Sequence, residues 1–468
     1  MFIKIRNFSI ICFVTSLLVG VTTPAFAEAS TKLAIQHWTT LNGASVYFVP
    51  ANQLPIVDVA VGFAAGSSHD GNKPGLANFT NDMLQQGAQS DGKVLTADQI
   101  DDAFANTGAL FSGNASQDAA IMTFRSLTKP NVLNPSLKLF SDIVNHPTFP
   151  ADAFGREQNI AVSSIQASNQ DPMIIAQHAF LKTLYPNYPY GNPVMGTLGG
   201  VQHLARNDLL NFYHQYYVAS NAMVAIVGDV TRQQAEAIAN TVVGQLPQGQ
   251  PAIAPLLSQK PVKTQAIHIN YPAAQTTVLL GQMGIKRNDP DYFPLLLANY
   301  SLGGGLVSEL FSIVREQYGL SYDIRSSYLA LQHKGPFIIS LQTQNKNAVK
   351  AIQLTNQIAA NFAKNGPTVA ELTAAKRYIT DSYPLQMTSN SDIENALIMI
   401  GLNHLPLNYM DTYVNKINAV TLAEIQKALH THLLPQDFIT VTVGGIDLNN
   451  KQTNTPIKLT ALNQKAKG

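Results

Sequence analysis

Asn78, Asn81 and Asp82 stand at i, i+3 and i+4 within Lys73–Ala88, which reads Lys-Pro-Gly-Leu-Ala-Asn-Phe-Thr-Asn-Asp-Met-Leu-Gln-Gln-Gly-Ala. Leu76, Phe79, Met83 and Leu84 recur there at helical spacing, Pro74 and Gly75 suit the approach to a helix, and Gly87 is placed to end it. On such a helix the three polar residues share one face. With the right residue types, this spacing puts two ligands on a metal and a carboxylate beside the metal's water. Here the types fail. An amide is a poor zinc ligand, uncharged Asn81 cannot take a proton from water, and a lone Asp82 cannot hold zinc. The alternative is a weak or different metal on Asp82 with His69 and Asp70, which show no ligand spacing of their own.

The frame around these residues, Gly-Leu-Ala-x-Phe-x-x-x-Met-Leu-x-x-Gly-Ala, resembles the active-site helix of the insulinase/pitrilysin metallopeptidase family. The resemblance implies that Asn78 and Asp82 replace the two His ligands and Asn81 replaces the catalytic Glu. The family's third ligand, a Glu on a later helix, is matched to Ser164 in the segment that starts at Arg156-Glu157. The chain is therefore expected to hold no metal and no other cofactor of its own.

A second set of residues lies further on. Gly303, Gly304 and Gly305 lead through a short helical stretch to Arg315-Glu316-Gln317-Tyr318-Gly319-Leu320-Ser321-Tyr322. The resemblance implies that Arg315 and Tyr322 match a pair which reaches the zinc site and grips substrate. A guanidinium and a phenol are strong donors, able to hold a peptide carbonyl or steady an oxyanion. The three glycines are expected to form a tight turn and a flexible lip on a substrate chamber. They make no phosphate loop, since no Gly-Lys-Ser/Thr follows.

The elements that position these residues read as two similar halves. Val57–Phe63 finds a counterpart in Thr277–Met283, and Thr107–Phe111 in Tyr318–Tyr322. Ala222–Asp229 is matched by Ile439–Gly445, each an apolar strand after a helical stretch. Strands in runs followed by amphipathic helices such as 347–363 and 370–383 predict an α+β fold of two α/β sandwich halves. The expected division is 28–244, a Pro-containing linker at 245–263, and 264–468. The resemblance covers the whole chain after residue 27 and implies the same duplicated fold.

Residues 1–27 read as a cleaved signal peptide, with Lys4 and Arg6, an apolar core over 10–21, and Ala25-Phe26-Ala27. Its removal takes away Cys12, the one cysteine, so neither disulfides nor thiol chemistry is expected. It also leaves 28 basic against 29 acidic residues, a net charge of −1 that suggests neither nucleic acid nor anionic membrane as partner. No Gly-x-Ser-x-Gly elbow occurs. His430 and His432 read as solvated or capping, with no acid nearby before Asp437, and Tyr213, Tyr216 and Tyr217 read as packing.

Together these features lead to an expectation of a periplasmic, non-catalytic subunit, with zinc on a homologous peptidase partner and unfolded peptides as substrate. The alternative is a structural scaffold or peptide-binding pseudopeptidase with no part in catalysis. A pair of donors kept intact beside a lost zinc motif favours the first.

Overall fold

Strands buried on both faces need a cover on each side, and the chain supplies two sheets with helices on both. The computed structural model describes residues 33–255 and 264–445; the expected signal peptide and linker residues 256–263 lie outside them. The first half opens with β1 (Gln36–Thr39), β2 (Ser45–Pro50), β3 (Ile56–Phe63) and α1 (Leu76–Met83). A hairpin of β4 (Gly87–Ser90) and β5 (Lys93–Thr96) precedes α2 (Ala97–Thr107), β6 (Leu110–Ala115) and β7 (Ala120–Leu127). Helices α3 (Pro130–Asn145), α4 (Ala151–Ser168), α5 (Pro172–Leu184), α6 (Leu198–Gln202) and α7 (Arg206–Tyr216) follow. Then come β8 (Ala222–Gly228) and α8 (Arg232–Val243).

The second half runs β9 (Ala266–Ile269), β10 (Gln275–Met283), α9 (Tyr292–Asn299), β11 (Ile324–Tyr328) and β12 (Pro336–Gln344). It ends with α10 (Ala348–Asn365), α11 (Val369–Ser382), α12 (Asn390–Leu402), α13 (Tyr409–Ala419), α14 (Leu422–His432) and β13 (Ile439–Val443).

The two sheets repeat one topology. The first has the order β1-β2-β8-β3-β7-β6 and the second, read from its far edge, β9-β13-β10-β12-β11. In each, the first shared pair is parallel (β2 with β8, β9 with β13) and the other pairs are antiparallel. Gly108 and Gly319 both take the left-handed conformation, φ 66° and 59°, just before the edge strands β6 and β11. The strand match made from sequence is off by one residue. Val57 pairs with Gly228 and Thr277 with Val443, so Gly444, the equivalent of Gly228, aligns Val57 with Thr276. That shift puts Val59 and Val61 on the same inner face as Val278 and Leu280, where a one-residue slip would reverse every side chain.

Each half closes the other. Helix α12 of the second half lies on β8 and β3, burying Leu397 and Ile400 against Tyr47, Ala60 and Val227. Helix α5 of the first half lies on β13 and β10, burying Phe180 and Leu184 against Leu279, Ile439 and Val441. Gly62 and Gly281, now equivalent, sit under these foreign helices. A Cβ on Gly281 would meet Phe180 at 3.0 Å, and one on Gly62 would meet Leu402 at 3.5 Å. The described part of the linker is fastened to the first half, since Pro247 and Gln248 carbonyls accept from the Ala219 and Ser220 N–H groups.

Candidate functional site

Helix α1 is held from both ends. Asp70 accepts from the N–H groups of Gly75 and Ala77, both at 2.7 Å, which satisfies donors that an α-helix leaves free at its start. Leu76, Phe79 and Met83 anchor its inner face in the first core. It ends at Met83 and passes through a single 3-10 turn over Leu84–Gln86, so Gly87 opens β4 instead of ending the helix.

Its polar face carries a local network. Asn78 Nδ2 donates to Asp82 Oδ2 at 2.8 Å. Asn81, 3% exposed, donates weakly to the Tyr217 hydroxyl at 3.4 Å, and its Oδ1 has no partner. A Cβ on Gly113 of β6 would stand 2.8 Å from that oxygen, so the glycine makes room for the amide. Burial pushes the Asp82 carboxyl up to about 6, nearby Glu157 adds like-charge repulsion, and the Asn78 amide opposes both.

Ser164, expected at the third position, and Glu157 both stand on α4. Glu157 on α4 is the acid whose charge acts on Asp82, and its neighbour Arg156 ties α4 to Gln86 at 2.8 Å. Ser164 is exposed and lies two turns further on, about 10 Å along the axis. The register was open in sequence because Arg156-Glu157 alone fixed the start of the segment, not its inward face.

His69 and Asp70 do not join Asp82. The Asp70 carboxyl is committed to two backbone donors, and burial raises it to about 7. His69 packs on Tyr216 with ring centroids 4.7 Å apart, and burial lowers it to about 4. The donors at the site are thus one amide and two carboxylates, with the amide nitrogen turned toward Asp82. This set does not fit a catalytic zinc, which takes three protein ligands drawn from imidazole, thiolate and carboxylate and keeps a fourth position for water.

The second set forms its own cluster. Residues Tyr300–Gly304 and Phe311–Gln317 are both π-helical, and the Tyr318 N–H reaches back to the Ile313 carbonyl at 3.0 Å. Such wide turns are rare and concentrate at functional sites. The Arg315 guanidinium lies 4.4 Å from the Phe311 ring centroid and 5.0 Å from that of Tyr322. Tyr322 is 82% exposed, so the stacked pair presents its phenol to solvent. Gly304 and Gly305 line a cavity of about 510 Å³ with Phe311, Leu306 and Val307. Within the glycine run Gly303 is buried, Gly305 half-buried and Gly304 exposed. A Cβ on Gly303 would lie 2.5 Å from Ser326 Oγ, and one on Gly305 would lie 3.1 Å from the Tyr300 ring. Among the described residues no hydrogen bond, ion pair or ring contact joins Arg315 or Tyr322 to Asn78, Asn81 and Asp82.

Comparison with known proteins agrees with this architecture. Residues 47–198 match the insulinase (peptidase family M16) profile, and residues 203–379 match the peptidase M16 inactive domain. A crystal structure of a peptidase M16 inactive domain from Pseudomonas fluorescens is 37% identical, with a TM-score of 0.84, covering 89% of this chain and 99% of that one. This chain belongs to the M16 family. A Helicobacter pylori M16 relative called a non-peptidase homolog is 25% identical over 424 residues, 90% of this chain and 95% of its own. A Bacillus subtilis relative called an uncharacterized zinc protease is 22% identical over 408 residues, 86% and 97% of the two chains. This chain is an inactive-type M16 homologue.

Within the M16 frame, sequence reasoning missed Glu157, Tyr217 and Gly113. Glu157 was within reach of it, since it is the acid in the Arg-Glu start. Tyr217, expected to pack, does so against Phe63 at 4.7 Å while also meeting Asn81. No sequence signal marked Gly113. His432 is not solvated, because its Nε2 pairs with Asp291 at 3.0 Å across 141 residues of sequence.

Proposed function

We propose that this chain is the non-catalytic subunit of a two-subunit periplasmic zinc peptidase, whose Arg315 and Tyr322 complete the active site of a zinc-bearing M16 partner. The observation that carries the reading is the contrast between the two clusters. The α1 face carries an Asn78–Asp82 hydrogen bond where the family's metal ligands would stand, while Arg315 is held between two rings beside an exposed phenol. Aromatic faces orient a guanidinium without neutralising it, which leaves its N–H groups available to a carbonyl or oxyanion. Unfolded peptides are the substrate class such a pair would hold.

The test mixes this chain with its zinc-bearing partner and follows cleavage of an unstructured peptide. Arg315→Ala and Tyr322→Phe should assemble normally and lower turnover, by about 10²–10³ where a transition-state donor is lost. A rise in KM alone would assign them to ground-state grip. Wild-type rates with both substitutions would favour a scaffold role.

A further inference from the structure

Strand β12 runs on past its last pairing with β11. The β11–β12 ladder ends at Ile324 opposite Leu341, while β12 continues beside β10 as far as Gln344. Continued in register, β11 would place Asp323 opposite Gln342 and Tyr322 opposite Thr343. Side chains of a strand alternate between faces, so Tyr322 would then stand on the face of Ile324 and Leu341, both buried in the second core. It is instead 82% exposed, with Arg315 over its ring. The first half takes the other course. Ile121 and Ile338 pair with the equivalent Gly62 and Gly281, so Arg125 is the counterpart of Gln342. There the ladder does reach one pair further, with Leu110 opposite Arg125. Only Ala109 separates Leu110 from left-handed Gly108, whereas residues 320–323 separate Ile324 from left-handed Gly319.

Two buried hydroxyls stand where the ladder stops. Ser321, 7% exposed, donates from Oγ to the Gln342 carbonyl at 2.8 Å and to the Asp323 carbonyl at 2.6 Å. Thr343 Oγ1 donates to the Leu320 carbonyl. Side chains thus bond backbone oxygens at the place where the chain has left its strand. The same turn is tied to the π-helical stretch that carries Arg315. The Gly319 N–H donates to the Arg315 carbonyl at 3.0 Å and the Leu320 N–H to the Val314 carbonyl at 2.9 Å. Leu320 itself is buried in the second core. Tyr322 therefore leaves the sheet at a point fixed relative to Arg315.

We propose that Ser321 and Thr343 are positioning residues for Tyr322. Their hydroxyls keep residues 320–323 off the β11–β12 ladder; without them β11 extends to Tyr322 and turns its phenol inward, away from Arg315. What this placement does for a substrate rests on the role proposed above for Arg315 and Tyr322, but the placement itself does not.

A thiol at position 322 reads the placement in the chain alone. The full chain carrying Cys12→Ser and Tyr322→Cys has a single thiol, which should react readily with 5,5′-dithiobis(2-nitrobenzoate), followed by absorbance. Adding Ser321→Ala and Thr343→Val should slow the reaction at least about tenfold, because a thiol turned into the core reacts only through local opening. Thr343→Val alone should slow it several-fold, while Thr343→Ser, which keeps the hydroxyl, should leave it unchanged; this comparison decides if the combined variant fails to fold. An unchanged rate in the combined variant, equal slowing by Val and Ser, or a slow thiol with both hydroxyls in place would overturn the proposal. In the peptidase complex, Ser321→Ala should lower turnover yet add no loss to Tyr322→Phe, and an additive loss would break the link to Tyr322. A silent Tyr322→Phe would count against the role of the pair in cleavage, and the thiol rates would still judge the placement.

Discussion

Two carboxylates and an amide on α1 and α4 show how little separates this chain from a metal site. Glu157 already bears on Asp82 as a like charge, so it can supply the third carboxylate that Ser164 lacks. The triple variant Asn78→His, Asn81→Glu, Asp82→His should therefore take up about one zinc per chain, while the wild type takes up far less. Elemental analysis after gel filtration reads the difference. Adding Glu157→Gln should abolish the uptake and adding Ser164→Ala should leave it unchanged; the opposite pattern would return the third position to Ser164. The failed zinc motif was legible from sequence because residue type and spacing lie within five consecutive residues of one helix. The third position was not, because which face of α4 meets α1 is a tertiary fact.

Elements carry the duplication, and most of it was readable in the strands and their following glycines. The register between the halves was not, since apolar runs such as Thr277–Met283 are buried on both faces and carry no alternation to fix it. The exchange of α5 and α12 between halves was also hidden, because an apolar helix face does not name the sheet it covers. That exchange makes Phe180, fully buried over Gly281, a long-range anchor. Phe180→Ala should cost about 3–5 kcal/mol, seen as a lower denaturation midpoint. A loss below about 1 kcal/mol would mean that α5 contributes little to closing the second sheet.

At the scale of the whole molecule, the seam under α12 contains a buried acid. Glu394, 5% exposed, faces Asp58, whose ion pair with Arg125 spans β3 and β7, and Arg125 also donates to Ser391 at 2.6 Å. Burial and then Asp58 push the Glu394 carboxyl up to about 8, with Arg125 opposing. A carboxyl raised in the fold favours folding below its unfolded value of 4.5, and that contribution fades as pH climbs through about 8. Glu394→Gln should therefore match the wild type near pH 4.5 and gain up to about 1.4 kcal/mol per pH unit until pH 8. Urea melts at four pH values check this. A pH-independent difference would place the acid in contact with water. Because the halves share two apolar seams, calorimetry should also show one unfolding transition; two resolved transitions would mean that the halves fold separately.

The mutual capping of the sheets also bears on the chain while it is being made. Strands β3 and β8 exist long before α12 leaves the ribosome, and α5 emerges well before the β13 strand that it covers. The first half cannot be completed until α12 has been made, so its apolar sheet surface stays open through most of synthesis. A nascent chain in that state is prone to mispairing and needs shelter. A message truncated between the codons for β8 and those for α12 should yield a product with a naked β-sheet face, open to degradation.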